Sequence, residues 1–253
     1  GRSDIGLARE NNEDSGFIGK RFILVADGMG GHAAGELASS TAVAIIARLD
    51  SKKDLNDSSL TSITNSITKE IKNAISKDSS RAGMGTTLTA INFNKNQISI
   101  THVGDSRAYL IRNKEIKQLT KDHTYIQTLL DSGEINKEEA KTHPQRSMLL
   151  QAIDGATEVV ADSLDLEINF GDQILVCSDG LTNVVSDDEI LEIINKYEYV
   201  GAVSALIEKA LENGAPDNVT IVLAEIIKEK MENSIVVLGA AAEPRNRVKL
   251  PSL

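Results

Sequence analysis

The sequence is poor in sulfur and in aromatic side chains. Cys177 is the single cysteine of the 253-residue chain, so no disulfide can form within it, and a reducing compartment suits it. Because Cys177 lies inside an apolar run, we expect a buried structural thiol and not a nucleophile. Tryptophan is absent and aromatic residues make up only 3%, so the core must be built from Val, Ile, Leu and Ala.

Positive charge and long apolar runs are also scarce. The chain has 27 Lys and Arg residues but 37 Asp and Glu residues. The resulting net charge of −10 argues against nucleic acid or an anionic membrane as the main partner. No apolar run reaches the ~20 residues that span a bilayer, and no signal peptide is visible. We therefore expect a cytoplasmic chain without a membrane span. Its 41% hydrophobic content is enough for one large domain.

What the sequence does contain is aspartate placed beside buried strands. Three apolar runs end in Asp27, Asp105 and Asp179, and a fourth run begins directly after Asp217. Strands of this composition are buried, so each carboxylate is delivered to the rim of a packed sheet. Carboxylates gathered at one rim repel each other unless cations lie among them. The pattern favours a pair of hard divalent ions and hence a metal-dependent hydrolase.

Each aspartate also has a plainer interpretation as a turn residue. An Asp-Gly pair after a strand usually makes a hairpin turn, but Asp27 and Asp179 are followed by helical sequence instead of a returning strand. Asp105 precedes another strand and Asp217 follows Pro216, so each of these alone is more typical of a turn. Only the convergence of the four favours a functional site.

Helix and strand patterns occur in batches along the chain. Helices are predicted at residues 35–49, 60–76 and 200–211, and Ser186 with Glu189 predicts a capped helix start. Strands are predicted at residues 86–93, 97–103, 107–112, 162–168 and 173–177, the first three as an antiparallel meander. The grouping predicts an α+β fold with two antiparallel sheets covered by helices, and not a parallel βαβ array.

Two segments stand apart from this pattern. Residues 123–151 are polar and helical, with breaks at Gly133 and Pro144, and read as an irregular insertion. Residues 226–253 are predicted to be a tail of unknown role that follows a domain of residues 1–225. For this tail a partly ordered terminus is favoured over a docking strand or a linker.

The first glycine-rich turn also allows an alternative interpretation as a dinucleotide-binding site. Residues 28–33 match the dinucleotide fingerprint G-x-G-x-x-A between a strand and a helix, and Asp50 lies near the position of a ribose-binding acid. Asp27, however, would point its charge at the bound pyrophosphate, and the alternating βαβ units are missing. A dinucleotide-binding oxidoreductase is therefore the weaker alternative.

Six short motifs follow one another from residue 9 to residue 220. They are Arg9-Glu-Asn-Asn-Glu-Asp14, Asp27-Gly-Met-Gly-Gly-His32-Ala-Ala-Gly-Glu36, Gly85-Thr-Thr-Leu88, Val103-Gly-Asp-Ser-Arg107, Cys177-Ser-Asp-Gly180 and Asp217-Asn-Val-Thr220. In this order they resemble the bacterial branch of the PP2C (PPM) family of metal-dependent serine/threonine protein phosphatases. The resemblance implies a four-layer α-β-β-α sandwich with the metal site at one edge of its two sheets and residues 123–151 as a mobile flap beside it.

The resemblance also implies a ligand for each position of a dinuclear centre. Asp27 would bridge two Mn²⁺ or Mg²⁺ ions, with the carbonyl of Gly28 on one ion and Asp179 and Asp217 on the other. These hard oxygen ligands suit Mn²⁺ or Mg²⁺ and not zinc. The two ions would lower the pKa of a bridging water, and the hydroxide would attack phosphorus directly, without a phosphoenzyme.

Further roles follow from the same resemblance. Asp14 would hold metal-bound waters, and Asp105 with Asp179 would form a weaker third metal site. Arg9 would grip the phosphate oxygens with its guanidinium fork, and His32 would protonate the leaving alkoxide. Strand alternation, and not the resemblance, places His102 on one face with Ile98 and Ile100, so it is expected in the core or in a supporting position behind the site.

The partners implied are phosphoserine and phosphothreonine proteins together with a cognate serine/threonine kinase, and the chain is expected to be a monomer. Two other functional classes remain open: a catalytically weak regulatory module with this fold, and a hydrolase of small phosphates or nucleotides. Loss of acidic ligands would favour the regulatory module, but every predicted ligand is present.

Overall fold

The helices and strands follow the apolar patterns of the sequence closely. The computed structural model describes residues 1–30, 33–52, 62–228, 234–244 and 246. In chain order the elements are β1 (Arg2–Asp4), β2 (Ser15–Ile18), β3 (Phe22–Ala26), β4 (Gly28–Met29), α1 (Ala33–Asp50), α2 (Ile63–Lys77), β5 (Gly85–Thr86), β6 (Leu88–Asn94), β7 (Gln97–Val103), β8 (Arg107–Arg112), β9 (Glu115–Gln118), α3 (Tyr125–Ser132), α4 (Lys137–Thr142), β10 (Asp162–Glu167), β11 (Gln173–Cys177), α5 (Asp179–Thr182), α6 (Asp187–Lys196), α7 (Tyr199–Glu212), β12 (Val219–Glu225) and β13 (Val236–Gly239).

Two sheets form the middle of the structure. One has five strands in the order β1-β12-β11-β8-β9, and the other has six in the order β10-β7-β6-β3-β2-β13. The strand pairs in both sheets are antiparallel. This arrangement confirms the α+β prediction and leaves no parallel βαβ unit among the described residues to support the dinucleotide alternative.

Three apolar clusters define four layers. Side chains such as Val25 and Ile91 of the six-stranded sheet and Val176 and Val222 of the five-stranded sheet pack between the two sheets. A second cluster joins the six-stranded sheet to α1 and α2, and a third joins the five-stranded sheet to α5, α6 and α7. The predicted α-β-β-α sandwich is therefore confirmed.

The helices bury the faces that their spacing predicts. In α2 the isoleucines Ile63, Ile67 and Ile71 recur every fourth residue and are buried, although the predicted first residues of this helix lie outside the described part of the chain. Helix α6 begins with the predicted capping box, in which Ser186 and Glu189 each bind the other's backbone N–H. No described helix has the length and apolar character needed to cross a membrane.

The predicted meander is wrong at its second turn. Strands β6 and β7 pair as a hairpin, but β8 pairs with β11 and β9 in the other sheet. Gly104, at φ 106°, begins the connection between β7 and β8. Its N–H donates to His123 Nδ1 at 3.2 Å and its carbonyl accepts from His123 N–H at 2.7 Å, so the chain is fastened to residue 123 instead of folding back on β7.

The six-stranded sheet continues beyond the boundary predicted at residue 225. Strand β13 pairs with β2 at the edge of that sheet, and Ala240 and Ala241 behind it are buried. Residues 236–242 therefore belong to the fold, whereas the sequence analysis favoured a partly ordered terminus for the whole of residues 226–253. A four-residue apolar run can pair at a sheet edge, and nothing local distinguishes it from a tail.

Asp50, the ribose-binding candidate, is a structural residue. It is buried at the end of α1, and its carboxylate accepts from the backbone N–H groups of Lys20, Arg21 and Phe22 at 2.9, 2.7 and 3.1 Å. The carboxylate therefore fixes the turn between β2 and β3, and its oxygens are engaged by the protein itself.

We expect Asp50→Ala to lower the free energy of unfolding by about 1–3 kcal/mol, because three backbone donors, of which that of Phe22 is buried, lose their acceptor. Asp50→Asn keeps one acceptor oxygen and should cost less. Urea denaturation of both variants measures the difference. Equal stability of Asp50→Ala and the wild type would show that water replaces the carboxylate at this turn.

Candidate metal centre

The predicted aspartates converge on one edge of the sandwich, and they arrive there from both sheets. Asp14 precedes β2 and Asp27 follows β3 of the six-stranded sheet, whereas Asp179 follows β11 and Asp217 precedes β12 of the five-stranded sheet. Burial and, after it, the charges of neighbouring carboxylates raise the pKa values of Asp14, Asp27 and Asp179, and also that of Asp105 after β7. The packing of the sheets thus brings together carboxylates that are far apart in the chain.

Asp14 is the most deeply buried member of this carboxylate cluster. Its Oδ2 accepts from Ser178 Oγ at 2.7 Å, whereas its Oδ1 is buried without a hydrogen-bond partner among the described residues. Burial raises the pKa of Asp14 to about 8, and the charges of Asp179 and Asp217 also raise it. An ionised Asp14 therefore needs a positive partner at Oδ1.

Asp27 and Asp179 lie side by side. Burial is the main cause that raises the pKa of Asp27, followed by the charges of Asp14 and Asp179. Burial and then the charge of Asp217 raise the pKa of Asp179, although the hydrogen bond from Asn183 opposes the shift. Asp179 Oδ2 accepts from Asn183 Nδ2 at 2.9 Å, but Asp179 Oδ1 has no partner among the described residues.

The backbone around Asp27 and Gly28 is held on both sides. Asp27 N–H donates to Thr87 Oγ1 at 2.9 Å, and the Asp27 carbonyl accepts from Thr87 N–H and Thr86 Oγ1 at 2.9 and 3.0 Å. A Cβ on Gly28 would lie 2.2 Å from the carbonyl oxygen of Gly35. Glycine is required here because α1 passes directly over this turn.

Arg9 lies at the exposed side of the cluster. Its Nη2 donates to Asp217 Oδ2 at 2.7 Å, and the side chain is about half exposed. Asp217 Oδ1 accepts from the N–H of Asn218 at 2.8 Å. The guanidinium fork is thus anchored beside the carboxylates while part of it faces solvent.

Three supporting residues belong to the motifs, but the sequence analysis assigned them no role. Ser178 donates to Asp14. Ser106 Oγ lies 2.8 Å from Thr87 Oγ1, the oxygen that accepts from the N–H of Asp27. Asn218 Oδ1 accepts from the N–H of Glu13 at 2.8 Å. The only sequence signal for these positions is that each one neighbours a predicted ligand.

The remaining candidates have mixed outcomes. His32, the predicted acid, lies outside the described residues. His102 is buried, with Nδ1 2.9 Å from Thr89 Oγ1 and Nε2 3.0 Å from the carbonyl oxygen of Lys121, which confirms a core role. Cys177 is free and buried, and burial raises the pKa of its thiol to about 12, so it is no nucleophile.

The donor set fits hard divalent cations. Its members are carboxylate and carbonyl oxygens, and two of the carboxylate oxygens are buried and unpartnered. Within the described ranges, no three Asp, Glu, His or Cys side chains form a ready-made ligand set for one ion. Mg²⁺-like ions need no such set, because they bind through one or two carboxylates and keep several waters.

The chain resembles known proteins in sequence and in structure. A family model described as protein phosphatase 2C matches residues 2–128. The serine/threonine protein phosphatase PstP of Mycobacterium tuberculosis is 43% identical over 99% of this chain and 49% of that protein. The serine/threonine phosphatase stp of Listeria monocytogenes is 37% identical over 88% of this chain and 94% of that protein.

A solved structure of the catalytic domain of serine threonine protein phosphatase PstP, in complex with two manganese ions, has the same fold. The two structures superpose with a TM-score of 0.84 at 44% identity, over 90% of this chain and 96% of that one. The chain spans about half the length of the PstP relatives that it matches, at 49%.

With a chelator present, we expect the free energy of unfolding to fall as the pH rises from about 4 to about 8. The folded state holds the pKa of Asp14 at about 8, well above the value of about 3.9 in an unfolded chain. The folded state therefore binds more protons in this window, and the loss can reach about 1.4 kcal/mol per pH unit for each such group.

Urea unfolding at about pH 5 and about pH 7.5 measures this slope. Asp14→Asn removes one titrating group and should flatten it, whereas Asp165→Asn, on the exposed strand β10, should leave it unchanged. A wild-type stability that increases with pH would contradict the electrostatics of the cluster.

Proposed function

Since the chain belongs to the protein phosphatase 2C family, we propose that it is a metal-dependent phosphatase that hydrolyses phosphoserine and phosphothreonine in proteins. The observation that carries the proposal is the cluster of buried carboxylates with unpartnered oxygens on Asp14 and Asp179. Such a cluster is costly unless cations compensate it, and the family's acidic motif residues are all retained. A regulatory module that had lost catalysis would have no reason to keep it.

We propose that Asp27 and the carbonyl of Gly28, with Asp14, Asp179 and Asp217, hold two Mn²⁺ or Mg²⁺ ions. When bound, these ions supply Lewis acidity and make water nucleophilic near neutral pH. The choice of metal rests on the oxygen donors and on the two manganese ions in the related PstP structure.

Arg9 is the proposed phosphate-binding residue. Its bond to Asp217 keeps the guanidinium group beside the cluster, and its fork can donate two parallel hydrogen bonds to phosphate oxygens. A guanidinium group held at the exposed side of the carboxylate cluster is accessible to a phosphate group that approaches from solvent. It would then orient the phosphorus toward the carboxylates.

In the hydrolysis, a water molecule releases one proton to solvent and its oxygen bonds to phosphorus, while the bond from phosphorus to the serine or threonine oxygen breaks. The leaving alkoxide must then gain a proton. We propose His32 as the acid that gives it, on the strength of its place in the second motif.

The proposed substrates are phosphoproteins, and the described helices α3 and α4 of the flap are the surface that would meet them. Met148 and Leu150, near the end of the flap, are about half exposed at 47% and 49%. We propose a cognate serine/threonine kinase, a monomeric state and a cytoplasmic location on the sequence evidence alone.

We expect Asp179→Asn to lower Mn²⁺-dependent hydrolysis of phosphothreonine peptides by about 10²-fold or more, since charge stabilisation by metal ions is worth several kcal/mol. The chelated protein should be as stable as the wild type or more stable, because one repelling charge is gone. Asp165→Asn makes the same chemical change on an exposed strand and is the control. Wild-type turnover of Asp179→Asn at saturating Mn²⁺, or hydrolysis that survives chelation, would refute the proposed function.

We expect Asp105→Ala to weaken a third, peripheral metal site and to leave the two tighter ions bound. Asp105 lies after β7, in the connection that crosses to the other sheet, and after burial the charges of Asp179 and then Asp122 raise its pKa. An ion with one or two carboxylates keeps most of its waters and binds loosely. Calorimetric Mn²⁺ titration should retain the tight binding events. Their disappearance would assign Asp105 to the main cluster.

A further inference from the structure

The last described strand is attached to Asp14 and to Ser15, the residue after it. In the pairing of β13 with β2, Gly239 lies opposite Ser15. The next residue, Ala240, donates its N–H to the carbonyl oxygen of Asp14 at 2.7 Å. We refer to residues 236–242 as the C-terminal segment.

A chain of buried hydroxyl groups extends this attachment. Ala241 N–H donates to Ser15 Oγ at 3.1 Å, and Ser15 Oγ lies 2.8 Å from Ser39 Oγ. Ser39 Oγ donates to the carbonyl oxygen of Glu13 at 2.6 Å. Because Ser39 donates its single proton to a carbonyl oxygen, that of Glu13 at 2.6 Å or that of Glu36 at 3.3 Å, Ser15 is the donor in the bond between the two hydroxyls.

The hydroxyl chain ends at the carbonyl oxygen of Glu13, beside Gly28 of the proposed metal centre. The carbonyl oxygen of Glu13, which accepts from Ser39, also accepts from the N–H of Gly28 at 3.2 Å. The C-terminal segment is thus linked directly to the main chain of Asp14 and, through Ser15 and Ser39, to the backbone of Gly28. Both belong to the proposed ligand set.

Gly239 makes this close approach feasible. It has φ 61°, and a Cβ at this position would lie 2.2 Å from the carbonyl oxygen of Asp14. The obstacle is backbone and cannot rotate away. Any larger residue must therefore move either the C-terminal segment or the main chain of Asp14.

The segment is also packed from both sides of the sheet. Val237 packs against the cluster under α1, and Leu238 packs against the cluster between the sheets. Beyond it, Asn246 Nδ2 donates to Glu36 Oε2 of α1 at 2.9 Å. A strand fixed in this way can transmit its position to the residues that it touches.

We propose that the C-terminal segment is a positioning element of the metal centre, because its backbone sets where Asp14 and Gly28 stand. The inference rests on the proposed function, which assigns divalent ions to these residues. A strand that merely covers a sheet edge would affect the stability of the fold. A positioning strand also affects the affinity for metal.

Calorimetric titration of the full chain with Mn²⁺ separates the two roles, with Gly239→Ala as the test variant. We expect its dissociation constant for Mn²⁺ to rise by about 10- to 100-fold, the usual effect of disturbing residues that support metal ligands. Gly171→Ala is the matched control, since Gly171 also has a positive φ, of 88°, but a Cβ there meets nothing within 4 Å. It should bind Mn²⁺ like the wild type.

The thermal midpoint of each variant, measured with chelator, completes the test. If Gly239→Ala unfolds at a lower temperature but binds Mn²⁺ with wild-type affinity, the segment only covers the edge and the inference is overturned. Should Gly239→Ala fail to fold, Ser15→Ala decides, because it breaks the hydroxyl chain and leaves the strand intact. Weaker Mn²⁺ binding by Ser15→Ala supports the inference, and unchanged binding overturns it.

Asp179→Asn, titrated in parallel, distinguishes this inference from the proposed function. If Asp179→Asn binds Mn²⁺ as tightly as the wild type, the assigned metal centre itself is wrong. If Asp179→Asn loses binding and Gly239→Ala does not, only the role of the C-terminal segment is wrong.

Discussion

The carboxylates at the edge of the two sheets repel one another, and much of the surrounding structure is arranged around that repulsion. Burial raises the pKa values of Asp14, Asp27 and Asp179, and their mutual charges add to the effect. The hydroxyl of Ser178 satisfies one carboxylate oxygen, but two others remain unpartnered within the described structure. The same groups therefore weaken the metal-free fold and create affinity for divalent cations.

The site lies where the two sheets meet, so its geometry depends on how the sheets pack. The hydroxyl contact of Ser178 with Asp14 joins a residue after β11 to one before β2. The contact of Thr87 with Ser106 likewise joins the six-stranded sheet to the start of β8. Both bonds cross between sheets, and the apolar cluster between the sheets keeps their edges aligned. A shift of one sheet against the other would separate the ligands.

The N-terminal and C-terminal parts of the described chain meet beside this site. Strand β1 pairs with β12, and β13 pairs with β2, so that Asp14 lies between segments from both parts. Asn218 also donates its side-chain N–H groups to the carbonyl oxygens of Ile5 and Asn11 at 2.8 and 3.0 Å. The residues before β2 are thus held by two separate stretches of the chain, residues 218–221 and residue Ala240 after β13.

The sequence by itself determined the features that depend on neighbouring residues: the longer apolar strands such as β3, β7 and β11, the capped start of α6, the buried thiol of Cys177 and the aspartates at strand ends. Apolar periodicity and helix capping depend on residues a few positions apart, so they can be recognised in a single amino-acid sequence. Only the tertiary structure decided that β8 leaves the sheet of β7, that Asp50 serves a turn, and that β13 completes a sheet beside Asp14. These outcomes depend on pairing between residues far apart in the chain, and a period-two pattern does not say which strand will be the partner.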